Sequence, residues 1–323
     1  MFMDIVGLGE SLIDFVALPS GAPSKILMEG NPGGAPLNVL SAAAKLGRET
    51  AYITKVGKDV FGALIRKQIE GLSISLDGLI EGDELTTLAI VTLDEAGDRS
   101  FAFYRNQTAD VSLDEAEVDF ELIKTARIFH FGSVSMTHQP ARDATIASAR
   151  FAQEQGIKVS FDPNYRAFLW KNEEEAIKAI RLGMGLADYA KVSEEEAFLL
   201  TGTKDPEASA GMLADEYALD FVAVTLGSNG AGAIANGVYR FLPTYDVKVI
   251  DTTGAGDAFW GASLHKLLGY EEKGLALNGE ALEELLDYAN AAGAITTTGL
   301  GAQAPLPTDG DIRALIETQA RLG

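Results

Sequence analysis

Short apolar runs alternate along this chain with stretches whose apolar residues return every three or four positions. The runs predict strands at residues 2–8, 50–56, 127–131, 157–161, 189–192 and 221–226. The helical spacing predicts helices over 36–46, 60–70, 141–155, 174–186, 194–201, 207–216, 255–268 and 281–297. Gly47 and Gly156 stand where two of these helices should end. The run at 221–226 is apolar apart from Thr225, as in a strand buried on both faces. Such alternation predicts an α/β fold in three layers, with a mostly parallel sheet between helices.

Two stretches break the rhythm. Residues 11–28 and 85–104 read as extended, antiparallel segments, and the second is a hairpin pattern around Asp94-Glu95-Ala96-Gly97-Asp98. Both are expected to form a small β-sheet lid, inserted into a core of residues 1–10, 29–84 and 105–323. Asn236-Gly237 predicts a further hairpin turn.

The chain has 323 residues, 47% of them hydrophobic, enough for one large core or two medium ones. It holds no apolar run of about 18 residues, so no membrane span or membrane partner is expected. The start, Met1-Phe2-Met3-Asp4, does not read as a signal peptide. With no cysteine, disulfides and thiolate chemistry are excluded, and a cytoplasmic location fits best. His130, His138 and His265 lack metal-ligand spacing and are read as structural. A net charge of −21 argues against a nucleic-acid partner. Salt screens distant surface charge beyond about 8 Å, so a local anion site remains compatible with it.

The sharpest chemical signal is Asp251-Thr252-Thr253-Gly254-Ala255-Gly256-Asp257, leading into a helix. Small residues let backbone N–H groups approach an anion, and the helix start adds partial positive charge. Asp257 would stand beside a docked phosphoryl group, able to take a proton from an attacking hydroxyl. The same residues also make an ordinary capped helix start, with Asp257 complementing the dipole. Gly33-Gly34-Ala35-Pro36-Leu37-Asn38 leaves room for a ligand at the backbone, with Asn38 facing hydroxyls, or is a tight turn before a helix. Asp14, after the first strand, is a hydroxyl acceptor or a solvated turn residue.

Asp162-Pro163-Asn164-Tyr165-Arg166 follows a strand, where open parallel sheets bind ligands. Arg166 there could meet an anion, or the segment is a plain turn. Ser193 and Glu196 have capping-box spacing, and Glu196 also suits Mg²⁺ and its waters. Thr225-Leu226-Gly227-Ser228-Asn229-Gly230 either seats a nucleotide or is a strand-end loop. The Walker A, protein-kinase and nucleophile-elbow motifs are missing, and Gly7-Leu8-Gly9 begins a dinucleotide fingerprint without completing it.

Taken in order, these motifs resemble the PfkB (ribokinase-like) family of carbohydrate kinases, and within it the fructokinases. The likeness runs over essentially the whole chain. It rests on Gly9-Glu10-Ser11-Leu12-Ile13-Asp14-Phe15, the Gly33 to Asn38 turn, Val56-Gly57-Lys58-Asp59-Val60-Phe61-Gly62, Phe103-Tyr104-Arg105-Asn106, the Asp162 and Ser193 segments, and Asp251 to Asp257. The resemblance implies a Rossmann-like ribokinase fold with a β lid, often completed in a dimer, and the cofactors ATP and Mg²⁺. It implies phosphoryl transfer to fructose O6, with Asp257 as base and the N–H groups of Gly254, Ala255 and Gly256 as anion hole. Asp14, Gly33, Gly34 and Asn38 would hold the sugar, with Arg105 and Arg166 on sugar or phosphate. Lys191 and Glu196 would serve phosphates and Mg²⁺. Thr225, Gly227 and Gly230 would line the nucleotide site, with Asn290 and Gly293 near adenine. Asp251, Thr253 and Gly301 resemble a loop for a monovalent cation, K⁺.

A kinase of another sugar (aminoimidazole riboside, 2-keto-3-deoxygluconate or ribose) shares most of these motifs. A catalytically silent sugar-binding regulator on the same fold is the alternative of a different class, and the intact Asp257 and glycine loop speak against it.

Overall fold

A computed structural model describes residues 2–18, 26–93, 99–319 and 321–322, with the side chains of 91–93 and 99–101 left aside. Thirteen strands run among the described residues: β1 (Met3–Leu8), β2 (Leu12–Leu18), β3 (Leu27–Gly33), β4 (Thr50–Gly57), β5 (Leu79–Gly82), β6 (Thr87–Leu93), β7 (Arg99–Tyr104), β8 (Ala126–Gly132), β9 (Lys158–Asp162), β10 (Tyr189–Ser193), β11 (Phe221–Thr225), β12 (Ala231–Ala235) and β13 (Val238–Leu242). The helices are α1 (Ala35–Lys45), α2 (Val60–Gly71), α3 (Phe120–Lys124), α4 (Ala141–Glu154), α5 (Glu173–Met184), α6 (Glu194–Thr201), α7 (Pro206–Tyr217), α8 (Ala255–Glu272), α9 (Gly279–Thr296) and α10 (Asp309–Thr318).

Nine strands form the main sheet, in the order β13-β12-β11-β10-β9-β8-β1-β4-β5. From β11 to β5 every neighbouring pair is parallel, and β12 and β13 add an antiparallel edge. The fold is therefore mixed α/β with a large, mostly parallel sheet. All eight residues of β4 are buried, as a strand covered on both faces requires. One face packs Phe129, Phe131 and Phe161 under α4 and α5. The other packs Tyr52, Phe221 and Trp260 under α1, α8 and α9. The indole of Trp260 donates to Ser160 Oγ at 2.9 Å, so its one polar atom is satisfied inside the core.

The second sheet has the order β3-β2-β6-β7. It includes both segments that interrupt the strand–helix rhythm. The small sheet runs on to Gly33, past position 28, because Pro32 sits in an edge strand, where a missing N–H costs no ladder bond. β6 and β7 pair antiparallel as the sequence predicts, while the turn at 94–98 and residues 19–25 lie outside the described residues. The Asn236-Gly237 turn joins β12 to β13 with φ of 50° and 72°, the positive values a tight two-residue hairpin needs. The small sheet is tied down at two points. Phe15 of β2 meets Phe61 of α2 edge-on, and Phe103 of β7 lies 5.0 Å from the Phe168 ring in the loop after β9.

Candidate active site

Because the central strands are parallel, the carboxyl ends of β1, β9, β10 and β11 open on one edge of the sheet. That edge is where open α/β sheets receive ligands. The predicted residues gather there from widely separated parts of the chain. Asp257 lies in the first turn of α8 and is buried. Asn38 of α1 donates to its Oδ2 at 2.8 Å, and Asn164 donates to Oδ1 at 3.3 Å. Burial raises the Asp257 carboxyl to about 6, against the pull of Lys191. Such a carboxyl is ionised at neutral pH and basic enough to accept a proton.

The turn before α8 depends on glycine. Gly254 sits at φ 78°, and a Cβ there would lie 2.5 Å from the Ala302 methyl. The Ala255 N–H makes a long 3.3 Å bond to Thr252 O, so the helix start is loosely satisfied. Lys191, in the middle of β10, reaches this turn: a Cβ on Gly256 would stand 3.2 Å from its ammonium. The same ammonium pairs with Asp162 at 2.8 Å. Burial works against the Lys191 charge, but Asp162, Glu196 and Asp257 outweigh it and raise its pKa above the ordinary lysine value.

Ser193 and Glu196 form the predicted capping box. Glu196 does more than cap: Oε1 accepts from Tyr165 N at 2.6 Å while Oε2 accepts from Ser193 N at 2.7 Å. It therefore fixes the loop carrying Arg166 as well as its own helix. Burial raises its carboxyl, with Lys191 opposing.

Asp14 on β2 faces Gly33, where a Cβ would meet its Oδ2 at 2.3 Å. Burial lifts Asp14 to about 6, and Arg166 opposes the lift. Arg166 acts in the same sense on Asp257, so one exposed guanidinium lies near both carboxylates. Gly34 takes φ 135°, and a Cβ there would strike the Glu10 carbonyl oxygen at 2.2 Å.

Other predicted residues have more structural surroundings. Arg105 is buried, and its fork is occupied by Asp110 at 2.7 Å, Thr137 Oγ1 at 2.7 Å and the Val134 carbonyl at 3.0 Å. Thr225 ends β11, and its hydroxyl donates to Val192 O at 3.4 Å. Gly227 and Gly230 bracket the turn between β11 and β12. Asn290 is buried on α9 and donates to Leu242 O at 3.0 Å, while Gly293 lets α9 close on the Ala255 carbonyl. Asp251, Thr253 and Gly301 do come together: the Asp251 carboxylate accepts from Thr253 N at 3.0 Å, Thr253 Oγ1 at 2.7 Å and Gly301 N at 2.9 Å. His130 is buried against Ser160 and His265 accepts from Arg48, and burial lowers both to about 4, so both rings are neutral.

Four residues at the site were given no role by the sequence reading. Asn164 contacts Asp257 from φ 46°, which the Pro-Asn turn signal allowed. Asp162 partners Lys191. Glu10 is buried, accepts from Ala35 N at 2.9 Å, and is raised by burial to about 7. Gln303 donates to Asn38 Oδ1 at 3.0 Å, and no local pattern marks it.

A Mg²⁺ ion fits this donor set. Glu196 and Asp162 offer hard carboxylate oxygens beside a single buried lysine, and the described residues contain no cluster of three metal-ligating side chains. That suits an ion held mostly by phosphate oxygens and water.

A mostly parallel α/β domain with a glycine-lined helix start, a buried carboxylate beside it and a second, smaller sheet is an arrangement suited to a small-molecule phosphotransferase. Comparison with known proteins makes the class specific. The pfkB family carbohydrate kinase model matches residues 3–309, so the chain belongs to that family and is a sugar phosphotransferase. Fructokinase-1 of Oryza sativa subsp. japonica is 39% identical over 320 residues, covering 97% of this chain and 98% of that protein. The ATP-bound fructokinase of Xylella fastidiosa superposes with a TM-score of 0.88 at 31% identity, over 98% of this chain and 99% of the other. A double-mutant Vibrio cholerae fructokinase with fructose, ADP and potassium bound gives 0.82 at 32% identity, over 98% and 99% of the two chains.

Proposed function

We propose that the chain is a fructokinase that transfers the γ-phosphoryl group of ATP to O6 of D-fructose. The observation that carries this reading is Asp257: a buried carboxylate at a glycine-lined helix start, raised to about 6 and oriented by two side-chain amides. The likeness to fructokinases over nearly the whole chain supports the choice of sugar.

In this mechanism Asp14, Gly33, Gly34 and Asn38 hold the sugar so that O6 faces Asp257. Asp257 takes the hydroxyl proton as O6 attacks. The N–H groups of Gly254, Ala255 and Gly256 face the charge that builds on the transferring group, and the ammonium of Lys191 faces the phosphates. Arg166, near both Asp14 and Asp257, meets sugar or phosphate as the lid of residues 11–28 and 85–104 closes. Arg105, bound to Asp110, supports the lid's base. Thr225, Gly227 and Gly230 line the nucleotide site, and Asn290 and Gly293 back the adenine. Glu196 with its bound waters would hold Mg²⁺, which supplies neutralisation of phosphate charge. Asp251, Thr253 and Gly301 form the loop we assign to K⁺.

Two copies are expected to join through their lids. β3 is an edge strand, and Val16, Leu18 and Leu27 on the small sheet are exposed. A monomer by light scattering at working concentration would overturn the dimer. We place the activity in the cytoplasm, and activity found only in a membrane fraction would contradict this.

The substrate is tested by ADP release over a panel of fructose, ribose, 2-keto-3-deoxygluconate and aminoimidazole riboside. Turnover greatest with fructose, giving the 6-phosphate by NMR, supports the reading. Turnover confined to another sugar selects that kinase, and sugar binding with no turnover leaves only the silent regulator.

A further inference from the structure

We propose that Gln303 is a positioning residue for phosphoryl transfer: a chain of amides, Gln68 to Gln303 to Asn38, fixes which end of Asn38 faces Asp257. The inference rests on the reading of Asp257 as the base, and adds to it a residue outside every motif that carries the family likeness.

The polarity of the chain follows from chemistry. An ionised carboxylate only accepts hydrogen bonds, so Asn38 must turn its Nδ2 to Asp257 Oδ2, at 2.8 Å. Its Oδ1 then needs a donor, which Gln303 Nε2 supplies at 3.0 Å. Gln303 Oε1 needs a donor in turn, and Gln68 Nε2 on α2 supplies it at 2.8 Å. Every bond points the same way, toward the base. Turning Asn38 over would break two of them and set a carbonyl oxygen against a carboxylate. Gln303 is 9% exposed and Asn38 7%, so water cannot readily replace the missing donor.

The segment bearing Gln303 also touches the anion loop directly. Ala302 is the residue that a Cβ on Gly254 would strike. One short stretch beyond α9 therefore braces the turn before α8 and the amide facing the base. Asp257 is also faced by Lys191 from β10, Asp162 from β9, and Arg166 with Asn164 from the loop after β9. The Asn38 bond favours its charged form, so loosening Asn38 should move the carboxyl upward.

The test uses two variants of the full chain. Gln303→Met keeps the shape and removes the donor; Gln303→Glu keeps the shape and reverses the polarity. The Asp257 carboxyl is followed by ¹³C NMR titration, with its signal identified by its loss in Asp257→Asn, and by the acid limb of kcat/KM. The midpoint, about 6 in the unmodified chain, is expected to rise by about half a pH unit in the Met variant and further in the Glu variant. kcat/KM should fall roughly 10-fold. Midpoints and limbs unchanged in folded variants overturn the proposal. If neither Gln303 variant folds, Gln68→Met takes the same measurement, where a smaller upward movement supports the relay and none overturns it. A carboxyl that moves as expected, in a protein whose unmodified form phosphorylates no sugar, leaves the relay standing and removes the proposed function.

Discussion

Replacing Asp257 by Asn should abolish most activity and, at neutral pH, make the protein more stable relative to the unmodified chain than it is in acid. Burial lifts the carboxyl from the ordinary 3.8 to about 6. The folded state thus binds this proton more readily than the unfolded state does. A group raised in this way contributes stability that is full below 3.8 and lost as pH rises through about 6. The difference of about 2 in pKa corresponds to about 3 kcal/mol. Most of that loss, about 2 kcal/mol, falls between pH 4.5 and 7. The Asn variant has no such proton. Constant terms, such as one carboxylate fewer around Lys191 and two facing amide nitrogens at Asn164, shift its stability equally at both pH values. At about 2 cal/mol/K per residue, 323 residues give an unfolding entropy near 0.7 kcal/mol/K. The gap in Tm between variant and unmodified chain should therefore widen by about 3 °C in the variant's favour from pH 4.5 to 7. Differential scanning calorimetry at several pH values reads it directly. A gap that is flat with pH, or that moves the other way, would refute the reasoning about the buried carboxyl, whatever happens to activity. For activity, loss of a general base predicts a fall of about 10²–10⁴ in kcat, and a near-normal kcat would remove Asp257 from that role.

Further expectations follow from the same geometry. In the unmodified enzyme, kcat/KM should fall at least tenfold per pH unit below about 6, as Asp257 and the sugar-facing Asp14 protonate together; an acid limb near the ordinary aspartate value would contradict their environment. Lys191→Met strands Asp162 as a buried, unpaired carboxylate beside Glu196 and Asp257. It should cost about 3–5 kcal/mol in denaturant unfolding, and the acid limb should move to higher pH, since a cation that favours the charged form of Asp257 is gone. Asp59→Ala removes the cap of α2 together with the tie to the start of β6 in the small sheet, because the carboxylate accepts from Phe61 N, Gly62 N, and both Thr86 N and Oγ1. The loss should reach about 2 kcal/mol, the upper end for a cap, and a loss below half that would show the Thr86 bonds to be idle.

What could be read in the sequence was whatever leaves a local trace. The central strands announced themselves because a strand covered on both faces carries mostly apolar residues, as β11 does. The anion loop was legible because Gly254 must adopt a positive φ and also make way for Ala302, and one residue type meets both demands. The hairpin at Asn236-Gly237 was legible for the same reason. Pro32 hid the end of β3, since proline argues against a strand until the strand is known to lie at an edge. Arg105 showed its place in a motif but not its partners, Asp110, Thr137 and Val134, which meet it only after folding. Gln303 was invisible on physical grounds: it lies 265 residues from Asn38, in a loop without period, and an amide's value depends wholly on what stands opposite.

The charges of the site also bear on how a chain of net charge −21 would serve the triphosphate of the proposed reaction. Beyond about 8 Å, surface carboxylates are screened, so what counts is the buried set. That set holds Asp162, Glu196 and Asp257 against one lysine, an excess of negative charge where an anion must dock. These carboxylates keep Lys191 charged despite its burial, while Glu196 and Asp257 are raised chiefly by burial, against the pull of that same ammonium. The burial that leaves this charge poorly screened is also the main source of the basicity of Asp257. Removing Asp162 would take away one charge that raises Asp257, and adding a cation beside Asp257 would lower its pKa further from the working pH. Local repulsion and the raised carboxyl both follow from burial, so in the mechanism proposed above the phosphates are met by the N–H groups at the start of α8, by Lys191 and by the exposed Arg166, with the buried carboxylates kept in place.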